Sequence, residues 1–324
     1  MQHYRIPNTD LSVSRIAFGT WHLGETWDKT PPSDDIKARA NALVKAAYEH
    51  GINHIDLADI YTLGKSDELV GYALKQNPGL REKLILQEKG GIIVGADPDF
   101  GPPSRFDFSY EHLVKSIETD LKRLGTDYVD LFTLHRPDIL VEPEEVAKAF
   151  DYMEKQGMVR YFGVSNHNAA QIELLRKHVR QPFVLNQLEL NIIHHHLISN
   201  GMLANQTAGQ YANATGVLEY CRLHDIMIQA WSPLARGQVI APKADAPENV
   251  KKTAALVAEL AAQKNTTKEG VALAWLLRHP AMIQPILGTH KVDHIASAVA
   301  ADTVELSRQE WYSLLEAARG AGVP

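Results

Sequence analysis

Short apolar runs alternate with amphipathic helical patterns along almost the whole chain, and this alternation constrains the fold more than any other feature. The runs are rich in β-branched and other apolar residues, which is typical of strands buried on both faces. The predicted strands are Ile16–Phe18, Asn53–Asp56, Leu84–Gln87, Val129–Leu134, Val159–Val164, Phe183–Leu188, Ile226–Ala230 and Ile283–Ile286. Sustained βα alternation favours a parallel sheet, and eight units favour closure of that sheet. We therefore predict an α/β protein, a single (β/α)8 barrel of the TIM type over residues 1–324.

Local signals add detail to this barrel. Tyr4–Ile6 and Leu11–Val13 flank a turn-forming segment and predict a β-hairpin that caps the bottom of the barrel. One helix should begin after Ser109 as its N-cap and end at Gly125. The longest predicted irregular stretch, Leu190–Ala214, is a candidate substrate loop.

Composition excludes several classes of function. The 33 basic and 39 acidic residues give a formal charge of -6 with no run of Lys or Arg, so we expect no nucleic-acid partner. No apolar run is long enough to span a bilayer, and Met1–Ile6 has no signal-peptide character. The single cysteine, Cys221, excludes an intrachain disulfide. These features predict a cytoplasmic protein that is not bound to membranes.

Ionisable side chains follow three consecutive predicted strands. Asp56 and Tyr61 follow the second strand, Lys89 follows the third, and His135 follows the fourth. Active sites of such barrels lie where strands end and βα loops begin, so these four side chains should converge on one mouth.

The four residue types suit protonation of an oxygen that is gaining negative charge. A lysine ammonium beside Tyr61 should lower the pKa of the phenol, which is ordinarily about 10. Asp56 would hold Lys89 charged and in place. His135 could donate a hydrogen bond to a carbonyl oxygen.

Ordered motifs accompany these residues, and together they resemble the aldo-keto reductase superfamily from the N-terminal hairpin to about Val304. The motifs are D-x-A-x-x-Y at 56–61, Lys89, His135 in "LHRPD", "VRYFGVSN" at 159–166, "NQ" at 186–187 and "WSPLARG" at 231–237. The resemblance implies a (β/α)8 barrel in which NAD(P)H gives a hydride to an aldehyde or ketone. It makes Tyr61 the proton donor, Asp56 and Lys89 its tuning pair, and His135 the group that orients the carbonyl.

The same resemblance implies a set of cofactor-binding residues. Trp231 would stack on the nicotinamide, and Ser165, Asn166 and Gln187 would bind its carboxamide. Gly19, Thr20 and Trp21 would form the floor of the pocket. The residues expected to hold the pyrophosphate and the adenosine phosphate are Ser232, Pro233, Leu234, Arg236, Gly237, Gly288, Thr289, His290 and His294.

NADPH is the expected cofactor, with NAD left open. The resemblance implies an arginine near the position of His294, and the local positive charge here comes from His290, Lys291 and His294 instead. No G-x-G-x-x-G follows any predicted strand, so dinucleotide binding of the Rossmann type is not expected.

Other interpretations of the same residues stay open. Lys89 is also compatible with a solvated strand end or with a Schiff-base aldolase. The whole barrel is compatible with a non-catalytic, cofactor-sensing subunit that docks on a partner protein. His194, His195 and His196 invite a metal site, but adjacent residues point to different faces, so we expect them to shape the substrate loop. Neither the carbonyl substrate nor formation of a homo-oligomer is specified by the sequence.

Three further expectations concern charged residues near the site. Asp59 should face solvent or cap a local turn. Glu88 should point away from Lys89 because strand residues alternate between faces. The charged segment Lys115–Arg123 should form the solvated face of a helix.

Overall fold

Eight parallel strands form a closed barrel in the computed structural model, which describes residues 1–202 and 216–324. The order around the barrel is β3-β4-β5-β8-β9-β10-β11-β12, and β12 pairs with β3 to close it. These strands are β3 Ala17–Gly19, β4 His54–Asp56, β5 Ile85–Gly90, β8 Val129–Leu134, β9 Val159–Ser165, β10 Phe183–Glu189, β11 Met227–Trp231 and β12 Ile283–Gly288. The predicted (β/α)8 barrel is therefore confirmed, and each predicted strand matches within a few residues.

Helices surround the barrel because each has one apolar face that packs on the strands. They are α1 Asp34–Glu49, α2 Lys65–Gln76, α3 Tyr110–Leu124, α4 Pro143–Lys155, α5 Ala169–Arg176, α6 His196–Met202, α7 Val217–Leu223, α8 Glu248–Gln263, α9 Lys268–Leu277, α10 Val292–Val299 and α11 Arg308–Arg319. Helix α3 has the predicted ends: the Ser109 side chain accepts a hydrogen bond from the His112 amide, and Gly125 has a left-handed backbone. No helix in the described part of the chain is long and apolar enough to cross a membrane.

Two short hairpins lie outside the barrel. The predicted N-terminal hairpin is confirmed as β1 His3–Arg5 paired with β2 Ser12–Ser14, and its apolar residues cover the bottom of the barrel. The second hairpin joins β6 Ile92–Ile93 to β7 Arg105–Phe106. The prediction that Leu190–Ala214 is irregular throughout was wrong, because α6 forms within it. Positions 203–214 lie outside the described residues.

Glutamine side chains fill part of the barrel interior. Gln229 exchanges hydrogen bonds with Gln87 (2.8 and 2.9 Å), donates to Gln284 (2.9 Å), and accepts from Gln187 (3.1 Å). Gln284 in turn donates to the Ser14 carbonyl oxygen at 2.6 Å. This amide network fixes the side chains below the barrel mouth, because each buried amide has a partner.

Candidate active site

Asp56 and Lys89 form a buried ion pair at the ends of β4 and β5. Lys89 Nζ lies 2.5 Å from Asp56 Oδ1 and also donates to the Leu57 carbonyl oxygen at 2.6 Å. Gln187 Nε2 donates to the same Asp56 oxygen at 2.7 Å. Since Lys89 is fully buried, this pairing satisfies an ammonium that would otherwise be costly to remove from water.

Tyr61 lies directly over this pair in the turn after β4. Its ring centroid is 4.8 Å from Lys89 Nζ and 5.0 Å from the centroid of Trp21. Burial raises the pKa of Tyr61 well above its usual value, and the negative charge of Asp56 adds to that effect. The prediction of a lowered Tyr61 pKa was therefore wrong for the pocket as it stands, because burial outweighs the ammonium of Lys89 beside the ring. The phenol keeps its proton across the neutral range.

His135 completes the group at the end of β8. Its ring is edge-on to Tyr61, with 5.8 Å between centroids, and its amide donates to the Gly90 carbonyl oxygen at 3.0 Å. Burial, with Lys89 and Arg136 nearby, lowers the pKa of His135 well below its usual value. The imidazole is therefore neutral, and one nitrogen can donate a hydrogen bond without charge. All four predicted catalytic side chains thus come together.

Trp231 stands at the end of β11 in a hydrogen-bonded frame. Its Nε1 donates to Asn166 Oδ1 at 3.1 Å, and Asn166 Nδ2 donates to Ser165 Oγ at 2.8 Å. Ser165 Oγ donates to the Gln187 carbonyl oxygen at 3.0 Å. Asn166 has a left-handed backbone (φ 61°), which turns its side chain toward the indole. The predicted nicotinamide-binding residues are therefore neighbours, although the Gln187 amide is engaged with Asp56.

The segment after β3 borders the same mouth. Thr20 donates to the Asp56 carbonyl oxygen from both its amide (3.0 Å) and its hydroxyl (2.9 Å). A side chain at Gly19 would place its Cβ 2.8 Å from Ile286, so this position requires glycine. Trp21 is 42% exposed, and its ring centroid lies 4.8 Å from that of Trp27. Trp27 escaped the sequence prediction, since only its aromatic character in the loop after β3 could have indicated it.

The segments that follow β11 and β12 carry the residues predicted to hold phosphates. The "SPLARG" residues follow β11 in a tight turn, where Ser232 and Arg236 have positive φ angles. Thr289 Oγ1 lies 3.2 Å from His294 Nδ1 and accepts from the Lys291 amide at 3.1 Å. The exposed His290 and Lys291 immediately precede the first turn of α10. This donor set fits an anionic group, because a helix N-terminus and cationic side chains attract one.

The histidines at 194–196 have separate surroundings. His195 is buried, with its Nδ1 2.6 Å from Ser199 Oγ, whereas His194 lines a cavity of about 430 Å³ together with Arg136 and Trp231. Within residues 1–202 and 216–324, no three His, Cys, Asp or Glu side chains are placed to hold a metal ion.

A second charged cluster lies on the outer side of β5, and the sequence analysis missed it. We call Asp59, Asp67, Glu88, Asp120 and Arg123 the outer cluster. The expectation that Asp59 faces solvent was wrong: its Oδ2 accepts from Ser116 Oγ at 2.8 Å, and its Oδ1 is buried without a partner. The solvated face predicted for Lys115–Arg123 was also wrong at its end, since Asp120 is fully buried. The outward direction of Glu88 is confirmed.

The comparisons with known proteins agree with this geometry. The model of the aldo/keto reductase family matches residues 15–319. The chain is 34% identical over 317 residues to the uncharacterized oxidoreductase YcsN of Bacillus subtilis (strain 168), covering 97% of both chains. It is also 34% identical over 326 residues to a 6-dehydroglucose reductase of Novosphingobium aromaticivorans, covering 99% of this chain and 96% of that one.

A solved structure gives the same result. The thermostable aldo-keto reductase Tm1743, in complex with the inhibitor epalrestat, matches with a TM-score of 0.76 and 28% identity, covering 98% of this chain and 100% of that one. The chain belongs to the aldo/keto reductase family. It is an NAD(P)H-dependent oxidoreductase that reduces an aldehyde or ketone carbonyl to an alcohol.

Proposed function

We propose that Tyr61 is the general acid of carbonyl reduction, and that Asp56, Lys89 and His135 support it. The observation that carries this proposal is the convergence of Tyr61 and His135 above the buried Lys89–Asp56 pair. The protonated phenol donates to the carbonyl oxygen as negative charge develops there. Neutral His135 orients that oxygen with a hydrogen bond.

Lys89 has a second role in this proposal. When the phenol loses its proton to the substrate, the ammonium 4.8 Å from the ring centroid stabilises the phenolate that remains. Asp56 and the Leu57 carbonyl oxygen hold the ammonium in place throughout. This geometry is fixed before the reaction, so little reorganisation is needed.

NADPH is the cofactor we propose, and when bound it supplies the hydride. Trp231, fixed by Asn166, offers a flat aromatic face for a nicotinamide ring. The exposed side chains of His290, Lys291 and His294 would offer hydrogen-bond donors to an adenosine 2′-phosphate. NADH lacks that phosphate and should bind more weakly.

We propose a sugar-like aldehyde as the substrate. A relative with 34% identity is named for 6-dehydroglucose, which supports this class. Trp21 and Trp27 support it as well. Trp21 lies next to Tyr61 and Trp27 lies next to Trp21, and their half-exposed rings provide apolar faces against which the C–H face of a sugar ring can pack.

Tyr61→Phe tests the proposed function. The variant should bind NADPH as the wild type does, whereas kcat for 6-dehydroglucose or a simple aldehyde should fall by about 10²- to 10⁴-fold, the usual contribution of a general acid. Steady-state NADPH oxidation measures kcat, and fluorescence titration with NADPH and NADH measures both affinities. Turnover of Tyr61→Phe near the wild-type rate would exclude Tyr61 as the acid.

A further inference from the structure

Arg123 lies beneath the segment that carries Tyr61. It belongs to the last turn of α3, on the outer side of the barrel. Its Nη1 donates to the Asp59 carbonyl oxygen at 3.3 Å, two residues before Tyr61. The same nitrogen donates to Asp120 Oδ1 at 3.2 Å and lies 3.5 Å from Asp67 Oδ2. One guanidinium therefore connects α3, the start of α2 and the turn after β4.

The segment is shaped to receive this side chain. A Cβ at Gly64 would lie 2.4 Å from Arg123 Cζ, so only glycine leaves room for the guanidinium. Gly64 has a φ of 91°, a conformation that also favours glycine. From the other side, Ser116 Oγ donates to Asp59 Oδ2 at 2.8 Å. Two residues of α3 thus contact the segment on its buried side.

The backbone next to Tyr61 needs such support. Thr62 and Leu63 have left-handed φ angles of 49° and 57°. For a residue such as leucine this conformation is strained, and it persists only where the surroundings enforce it. Relaxation of either residue would rotate the peptide that follows Tyr61 and would move its phenol.

We propose that Arg123, assisted by Ser116, is a positioning residue for Tyr61. The guanidinium holds the 59–64 turn against α3, and this fixes the phenol above Lys89. The proposal rests on the assignment of Tyr61 as the acid. It gives the outer cluster a part in the reaction although none of its side chains contacts the substrate.

Arginine suits this role better than lysine would. Its planar guanidinium donates in several directions at once, here to a backbone carbonyl and to a carboxylate. A lysine ammonium also has several donors, but it sits on a shorter side chain and has no fixed plane, so it would not hold both acceptors in the same positions. Arg123→Lys should therefore retain the charge and lose most of the fixed geometry.

Three variants test the proposal: Arg123→Lys, Arg123→Leu and Ser116→Ala, with Arg81→Lys as the matched control. Arg81 is a comparable half-buried arginine whose donors reach the starts of β5 and β8 instead of the 59–64 turn: it donates to Asp130 Oδ2 at 3.2 Å and to the Leu84 carbonyl oxygen at 3.0 Å. The measurements are the melting temperature, the Kd for NADPH and kcat, with kcat determined well below every melting temperature.

The expected results distinguish an effect on the position of Tyr61 from an effect on the stability of the protein. All four variants should melt below the wild type, but only those at Arg123 and Ser116 should lose kcat. The expected losses are roughly 10- to 100-fold for Arg123→Leu, less for Arg123→Lys and least for Ser116→Ala, with the Kd for NADPH unchanged in each. If Arg123→Leu does not fold, the two milder variants decide.

One outcome would contradict the positioning role of Arg123, and a different outcome would contradict the assignment of Tyr61 as the acid. Wild-type kcat in folded Arg123→Lys and Ser116→Ala, as in Arg81→Lys, would overturn the positioning role while Tyr61→Phe still shows the acid. Wild-type kcat in Tyr61→Phe would instead overturn the assignment of Tyr61 itself.

Discussion

Two buried charged groups lie on opposite sides of one strand, and their charges are balanced differently. Lys89 points into the barrel, where its ammonium pairs with the single carboxylate of Asp56. Glu88, the preceding residue, points outward into the outer cluster, which holds four carboxyl groups and one guanidinium, and that guanidinium pairs with Asp67 and Asp120. Strand alternation alone separates the two environments.

The difference affects which groups hold protons. The inner pair sets one ammonium against one carboxylate, and that ammonium lies where it can stabilise a phenolate. In the outer cluster, burial raises the pKa of the Asp67, Glu88 and Asp120 carboxyls well above their usual values, and it raises the pKa of Asp59 to about 7. An acidic excess around one cation therefore holds protons near neutral pH. The inner pair suits catalysis, and the outer cluster suits support.

Lys89→Met should have the largest effect. It leaves the Asp56 carboxylate buried without its cation, which typically costs about 3–5 kcal/mol of unfolding free energy. It also removes the charge that stabilises the Tyr61 phenolate, so kcat should fall by about 10²- to 10⁴-fold. Denaturant unfolding and steady-state kinetics measure the two effects.

Glu88→Gln is the control for that variant. The change is on the same strand, one residue away, and on the outer side. It should leave kcat within about threefold of the wild type, because the side chain at position 88 points away from Lys89 and Tyr61. If both variants lost kcat equally, the distinction between the two sides of β5 would fail.

Asp67→Asn should have a smaller effect that depends on pH. Asp67 is fully buried, and among the described residues neither of its carboxyl oxygens has a hydrogen-bond partner. The charged groups that shift its pKa are Arg123, Asp59 and Glu68. Glu88 and Asp120 interact with it as well. Because its folded pKa is raised, the stability it contributes is full below its unfolded pKa of about 3.9 and is lost as pH rises.

The variant removes this loss. Relative to the wild type, Asp67→Asn should therefore gain melting temperature between pH 5 and pH 8.5, by roughly 2 to 4 °C for each kcal/mol. Differential scanning calorimetry at both pH values measures the gain. If the melting temperature of Asp67→Asn minus that of the wild type stays constant, or falls with rising pH, Asp67 is charged in the folded protein.

The inner group could be predicted from the sequence because its parts follow strands. Strand ends in a parallel barrel meet at one mouth, so Asp56, Lys89 and His135 could be brought together by counting strands. Trp231 and its hydrogen-bonded neighbours were instead implied by the family resemblance of their motifs. The hairpin before the barrel was marked by its turn residues.

The outer cluster could not be predicted in this way. Asp120 and Arg123 have the spacing of a solvated helix face, and nothing local shows that α3 turns this face toward β5. Their burial depends on tertiary packing against the 59–64 turn, and on glycine at position 64, which admits the guanidinium. The raised pKa of Tyr61 escaped prediction similarly, since its largest cause is burial.

A comparison of kcat for Asp56→Asn and Asp59→Asn tests the central claim most directly. Asp56→Asn weakens the hold on Lys89 and should lower kcat by about 10²-fold or more. Asp59→Asn keeps an oxygen for Ser116 and the backbone carbonyl for Arg123, so kcat should stay within about threefold of the wild type. Equal losses in the two variants, measured in one assay at saturating NADPH, would contradict the division between an inner catalytic pair and an outer supporting cluster.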